Sequence, residues 1–261
     1  MRVDVDQLAR RSRRVEIDDL DLDAFTDRPL EAGALRCLRY MHDVEHHTVC
    51  YLRDLLLTEA HRDPEITTFL TVWVYEEHWH GQAIAAVLAA HGEGAGDTRI
   101  ASSRQRSRRH DLALSLAMWA ANGVTRHLPA VHMTWGAVNE CLTQAAYRRL
   151  AVRTGHPVLR ELVGRISRQE GRHIDFYASQ AERRLGASRR AQRLTRVALA
   201  RLWTPVGAGI MPPAEVRHLG GYLFGDDEGR AAAARIDRRV QRLPGLDGLT
   251  VVTDALDRLA A

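Results

Sequence analysis

The sequence predicts an all-α fold, a bundle of long helices followed by shorter C-terminal ones. Three observations predict it. Apolar residues recur at three- and four-residue steps over long stretches, which lines one face of a helix. Alternating β-branched runs are scarce, aromatic residues make up only 6%, and Ala, Leu and Arg dominate. Proline stands at the start of several periodic segments and glycine at the end, the usual asymmetry of helix termini.

Each element follows in order. Residues 1–27 are polar and read as an arm with a turn. Pro29 can open a helix reaching about Glu59. Asp63-Pro64 supplies a cap and first turn for a second helix to about His91. The stretch HGEGAGDTRIASSRQRSRRH (91–110) reads as a Gly, Ser and Arg loop. A third helix is expected to start near Asp111 and weaken around Asn122-Gly123. A fourth runs from about Pro129 to Arg153, where Thr154-Gly155 stops it, and a fifth from Pro157 to about Leu185, where Gly186 stops it. Shorter helices follow, interrupted by Pro205, Pro212-Pro213, Gly220-Gly221 and Pro244-Gly245. The expected organisation is an N-terminal arm (1–27), a helical bundle (28–186) and a C-terminal helical extension (187–261) packed on the same domain.

Composition excludes several classes. No run of residues is apolar enough to span a membrane, and the start, MRVDVDQLARRSRRVEIDD, has no signal core. Cys37, Cys50 and Cys141 carry no CxxC or zinc-finger spacing, so a reduced, cytoplasmic chain is expected. The net charge is +4, and all 37 basic residues are arginine. That balance favours an acidic partner, but no nucleic-acid-binding motif is present.

The chemistry lies in the stripes. The first helix reads Leu38, Met41, Glu45, Thr48, Leu52; the second reads Leu70, Trp73, Glu77, His80, Ile84, Val87. The fourth reads Met133, Ala137, Glu140, Thr143, Tyr147, Leu150; the fifth reads Leu159, Val163, Ile166, Glu170, His173, Tyr177. Four helices thus carry an acid at a position their own periodicity sends to the core. An isolated buried carboxylate costs several kcal/mol, roughly, even after relaxation. Four together would protonate unless a strong positive charge compensates. A pair of metal ions does so. Glu and His three residues apart share a helix face. One Glu from each of two helices plus Glu-x-x-His from each of two others is the donor set of di-iron carboxylate bundles. Here that set is Glu45, Glu77 with His80, Glu140, and Glu170 with His173. Carboxylate and imidazole suit iron, with manganese the alternative. His46 and His47 fall off the first stripe, and Glu76 lacks a His three residues on. Glu215-x-x-His218 follows Pro212-Pro213 and has no partner helices. Thr143, one turn after Glu140, would face the metals. Tyr147, Tyr177, Trp73 and Cys141 read as packing or supporting residues.

At these residues the chain resembles the soluble acyl-carrier-protein desaturases, a family with a ferritin-like four-helix bundle, a di-iron core and additional C-terminal helices. VYEEHWHGQAI (74–84) resembles their first EExxH helix, SRQEGRHIDFYA (167–178) their second, and NECLT (139–143) their Glu-x-x-Thr. RRVQRLPGLDGLT (238–250) is similar to their C-terminal region. The resemblance implies a cytoplasmic, dimeric oxidoreductase of fatty acid or related lipid metabolism. Two Fe ions would be held by Glu45, Glu77, His80, Glu140, Glu170 and His173. O2 would be co-substrate, and Thr143 would assist it catalytically. Two hydrogens would leave an acyl chain borne on an acidic acyl carrier protein, and a ferredoxin-type partner would supply electrons. Arg99, Arg104, Arg106, Arg108 and Arg109 form one candidate rim for the carrier. Gln169 departs from the family, which often has Asp there as part of an electron route. A di-iron hydroxylase and a non-catalytic ferritin-like iron-binding protein are the alternatives. Amine oxygenases of this class use a further His where Ile166 stands.

Overall fold

The computed structural model of the protein describes residues 3–94 and 96–260. The chain runs α1 (Val5–Arg11), α2 (Ala24–Asp27), α3 (Ala32–Leu56), a tight 3-10 turn (Glu59–Arg62), α4 (Pro64–Ala90), α5 (Asp97–Val124) and α6 (Leu128–Thr154). It continues through α7 (Pro157–Gly186), α8 (Arg189–Leu202), α9 (Pro213–Phe224), α10 (Asp227–Val240) and α11 (Val251–Ala260). No strand occurs among the described residues; a single isolated bridge joins Ala208 and Met211.

Local chemistry accounts for the ends of the long helices. The Asp63 carboxylate accepts from Glu65 N at 3.0 Å and Ile66 N at 3.3 Å, and Pro64 occupies the first turn of α4. Gly155 takes φ +60°, a left-handed conformation that costs glycine nothing, and so ends α6. Pro157 opens α7 two residues later, so α6 and α7 form a tight antiparallel hairpin. Each helix of the set α3, α4, α7, α6 packs on the next, and α3 and α6 close the ring. Leu38, Ile84, Val138, Leu150 and Ile166 are essentially inaccessible in its interior. The approach of α6 to α7 is close: a Cβ on Gly136 would sit 2.4 Å from the Tyr177 ring.

The C-terminal helices cover this ring. α8 lies on α6 and α7, α9 on α3 and α6, α10 on α6, and α11 on α9 and α10. Asp237 of α10, 3% exposed, starts α11 from outside it. Its carboxylate accepts from Val252 N at 2.8 Å, Thr253 N at 3.0 Å and Thr253 Oγ1 at 2.6 Å. Hydrogen bonds to a charged acceptor contribute about 1.5–3 kcal/mol each, net. Asp237→Ala is expected to destabilise the chain by about 2–3 kcal/mol in urea unfolding; an unchanged midpoint would contradict this account of α11.

Two expectations are corrected. The segment expected as a loop (91–110) is mostly the first half of α5, which starts at Asp97 rather than near Asp111. Its Ser and Arg residues carry no apolar stripe because the face it packs with is polar. Ser107 and Asp111 are the buried side chains of α5 among the described residues. The five arginines therefore lie on a helix. Arg99 pairs with Asp43 at 3.1 Å and Arg104 donates to the His46 carbonyl at 3.0 Å, while Arg106, Arg108 and Arg109 are exposed. Gly220-Gly221 does not interrupt a helix either; both lie inside α9. Gly220 faces Leu256 and Leu259 of α11, and the packing of α9 on α3, α6 and α11 offsets the weak helix propensity of glycine. Among the described residues no helix is long and apolar enough to cross a membrane.

Candidate di-metal site

Four helices bring six donors to one place. Glu45 comes from α3, Glu77 and His80 from α4, Glu140 from α6, and Glu170 and His173 from α7. All six are at most 6% exposed. Ligand atoms of Glu45, Glu77, His80 and Glu170 lie within 4.8 Å of one another, and so do those of Glu77, Glu140, Glu170 and His173. Glu77 and Glu170 belong to both groups. Each group offers one imidazole and three carboxylates, two of them common to both, and would suit a pair of cations, as in the donor set of ferritin-like di-metal proteins.

Surrounding residues hold the donors. His80 Nε2 lies 2.8 Å from Gln169 Oε1, an atom that only accepts, so Nε2 carries the proton and Nδ1 turns to the cluster. His173 Nε2 lies 2.8 Å from Glu76 Oε2, with the same result. Arg172 fixes Glu76 at 2.7 Å, and the Gln169 amide donates to the Arg13 carbonyl at 2.9 Å. The arrangement is crossed: the residue before each motif glutamate orients the histidine of the other helix. Aromatic donors hold the remaining two acids. Trp73 Nε1 donates to Glu140 Oε1 at 3.0 Å, and the Tyr147 hydroxyl donates to Glu45. Tyr177 packs instead among Phe69, Trp73 and Phe176.

The donor set fits cations rather than an internal hydrogen-bond network. His80 Nδ1, His173 Nδ1, Glu77 Oε1 and both Glu170 oxygens are buried and make no hydrogen bond. Buried polar atoms are almost always satisfied. Five orphans converging on one point indicate a positive ligand there. In the metal-free chain protons stand in for it. Burial, reinforced by Glu77 and Glu170, holds Glu45 and Glu140 well above the usual carboxylate range. Burial alone would raise Glu77, but the adjacent Glu45, His173 and His80 bring it below its usual value. Burial also disfavours protonated His80, but Glu170 and Glu77 lift it to about 9, and His173 is raised by Glu170 and Glu76.

A pH dependence follows with a definite sign. Groups with raised values hold protons that a metal must displace, because only the free lone pair can coordinate. Fe(II) binding is expected to release protons at neutral pH, with affinity falling as pH is lowered, because His80, held up at about 9, and the raised His173, Glu45 and Glu140 must give up protons to coordinate. Calorimetry in buffers of different ionisation enthalpy checks it; binding without proton release would contradict it.

Thr143 is half-buried and lines an apolar pocket together with Glu45. The pocket lies between α3, α6, α9 and α11, walled by Met41, Val44, Leu142, Ala146, Val216 and Leu219. Its other polar side chain is Tyr40, whose hydroxyl donates to the Val206 carbonyl at 2.6 Å. Residues set aside by the sequence sort themselves differently. Glu215 pairs with Arg36 at 2.7 Å, and His218 contacts the Gly33 carbonyl at 3.1 Å. Cys141 packs in the apolar core. His46 and His47 are nonetheless buried, at 8% and 2% exposed, on faces of α3 turned away from Glu45. Sequence reasoning missed the roles of Glu76 and Gln169; their position directly before each motif glutamate is the one available signal. No protein-family model matches the chain, and no curated protein matches it.

Proposed function

We propose that this chain is a di-iron, O2-dependent desaturase that introduces a double bond into an acyl chain carried on acyl carrier protein. The observation that carries the reading is the apolar pocket reaching Glu45, one of six donors in a buried carboxylate–histidine box. Glu45, Glu77, His80, Glu140, Glu170 and His173 would hold the two ions, and the bound pair would supply oxygen activation for removing two hydrogens from a methylene pair. The chain's own residues do the rest. The apolar wall beside Glu45 would exclude water and take part of the hydrocarbon against it. The Thr143 hydroxyl, which lines the same pocket, would pass a proton toward the carboxylates. Glu76 and Gln169 keep each imidazole turned inward. In this reading electrons arrive from a ferredoxin-type partner, the acidic carrier docks on exposed arginines such as those of α5, and the chain works as a homodimer.

The test loads the purified chain with iron, measures metal content and the optical spectrum through reduction and exposure to air, and then supplies acyl carrier protein substrates with reductant. A product that has lost two hydrogens supports the proposal. A product that has gained one oxygen makes the chain a hydroxylase. Accumulation of ferric iron without acyl product makes it an iron-binding protein.

A further inference from the structure

A second group of metal-binding side chains lies outside the carboxylate–histidine box. His47 and Cys50 stand three residues apart on α3 and so share one face. Asp111 comes to them from α5. Their ligand atoms all fall within 4.8 Å of one another, and His47 Nε2 is 3.4 Å from Asp111 Oδ1. His47 is 2% exposed, yet neither of its ring nitrogens makes a hydrogen bond. Ser107 Oγ donates to Asp111 Oδ2 at 2.9 Å, which fixes the carboxylate beside His47.

The seam around this group is unusual for a helix as long as α5. A helix is ordinarily held by an apolar face, but the buried side chains of α5 among the described residues are Ser107 and Asp111. Leu112, Leu116 and Trp119 face outward instead, at 61%, 59% and 67% exposed. What ties α5 to its neighbours is polar: Arg99 to Asp43, Arg104 to the His46 carbonyl, Ser115 to Asp54 at 2.6 Å, and Asn122 to Glu59 N at 2.9 Å.

We propose that His47, Cys50 and Asp111 form a third metal position, taking zinc or a similar borderline divalent cation, that pins α5 to α3. One imidazole, one thiolate and one carboxylate balance a divalent charge and match zinc's preference for mixed nitrogen, sulfur and oxygen donors. Cys50 is only half-buried, and with three protein ligands a water would complete zinc's usual four. The site is independent of the acyl-desaturase reading, since it shares no ligand with the six-donor box.

Cobalt(II) tests it, because a thiolate ligand gives cobalt an intense near-ultraviolet charge-transfer band that carboxylates and imidazoles do not. The full chain, stripped with a chelator, is titrated with cobalt, and hydrogen exchange is followed across 97–124. The expected result is a thiolate band in the wild type and slower exchange in α5. Cys50→Ser abolishes the band while leaving cobalt binding to the six-donor box, and Asp111→Asn, which keeps the thiol, weakens the band's titration at least tenfold. A wild-type chain without the band, a band that survives Cys50→Ser, or α5 exchange indifferent to metal would each overturn the proposal.

Discussion

Glu170→Ala is expected to empty both metal positions, whereas His80→Ala should empty one. The difference follows from the donor groups: Glu170 belongs to both, while His80 belongs only to the group containing Glu45. Removing Glu170 would take a carboxylate from both groups and leave Glu77 as the one residue they share. Loss of a residue that merely orients a ligand already lowers affinity by about 10–100-fold, and loss of a shared ligand exceeds that. Iron content should fall from about two ions per chain to near zero in Glu170→Ala and to about one in His80→Ala. Elemental analysis measures it, with the helical circular dichroism spectrum as control for folding. Full iron in Glu170→Ala would dismiss the shared-ligand geometry, and complete loss in His80→Ala would show that the positions fill only together.

The second large effect concerns the pocket. Gly220 lines it, and a Cβ there would meet Leu259 Cδ1 at 3.5 Å and Leu256 Cδ2 at 3.7 Å, ordinary contacts. Gly220→Ala therefore fits, and by restricting the unfolded chain and favouring helix it should stabilise the protein by about 0.5–1 kcal/mol. Gly220→Leu carries its branch into the space between α9 and α11. Even one extra methylene in an apolar pocket shifts binding by about 1–3 kcal/mol, a factor of ~10–200. Turnover of a long acyl substrate by Gly220→Leu is expected to fall by that factor with iron content unchanged. Equal turnover by both variants would remove this pocket from the substrate path.

The donors were legible because helical periodicity is a one-dimensional property. Glu45, Glu77, His80, Glu140, Glu170 and His173 each sit on an apolar stripe, and a buried charge on such a stripe demands a partner. Their supports were not legible, because Glu76 meets His173 and Gln169 meets His80 across helices, and spacing along the chain carries no record of which helices adjoin. The caps at Asp63 and Gly155 could be read from residue type alone. The start of α5 could not. Arginine and serine without an apolar stripe resemble a loop, and what holds them in a helix is a polar seam with α3. His47, off the stripe that carries Glu45, lies on the face that meets α5, which spacing along the chain does not record.

The crossed support of the two histidines bears on how the chain can change over generations. A replacement at Glu76 is felt at His173, and one at Gln169 is felt at His80. Neither motif is a self-sufficient cassette that could be transplanted or repaired alone. Residues distant in sequence are bound into two pairs, one joined by a carboxylate and the other by an amide. Lineages that alter one member are expected to alter the other, and an ancestral chain that gained either helix alone would have had a histidine with nothing to aim it.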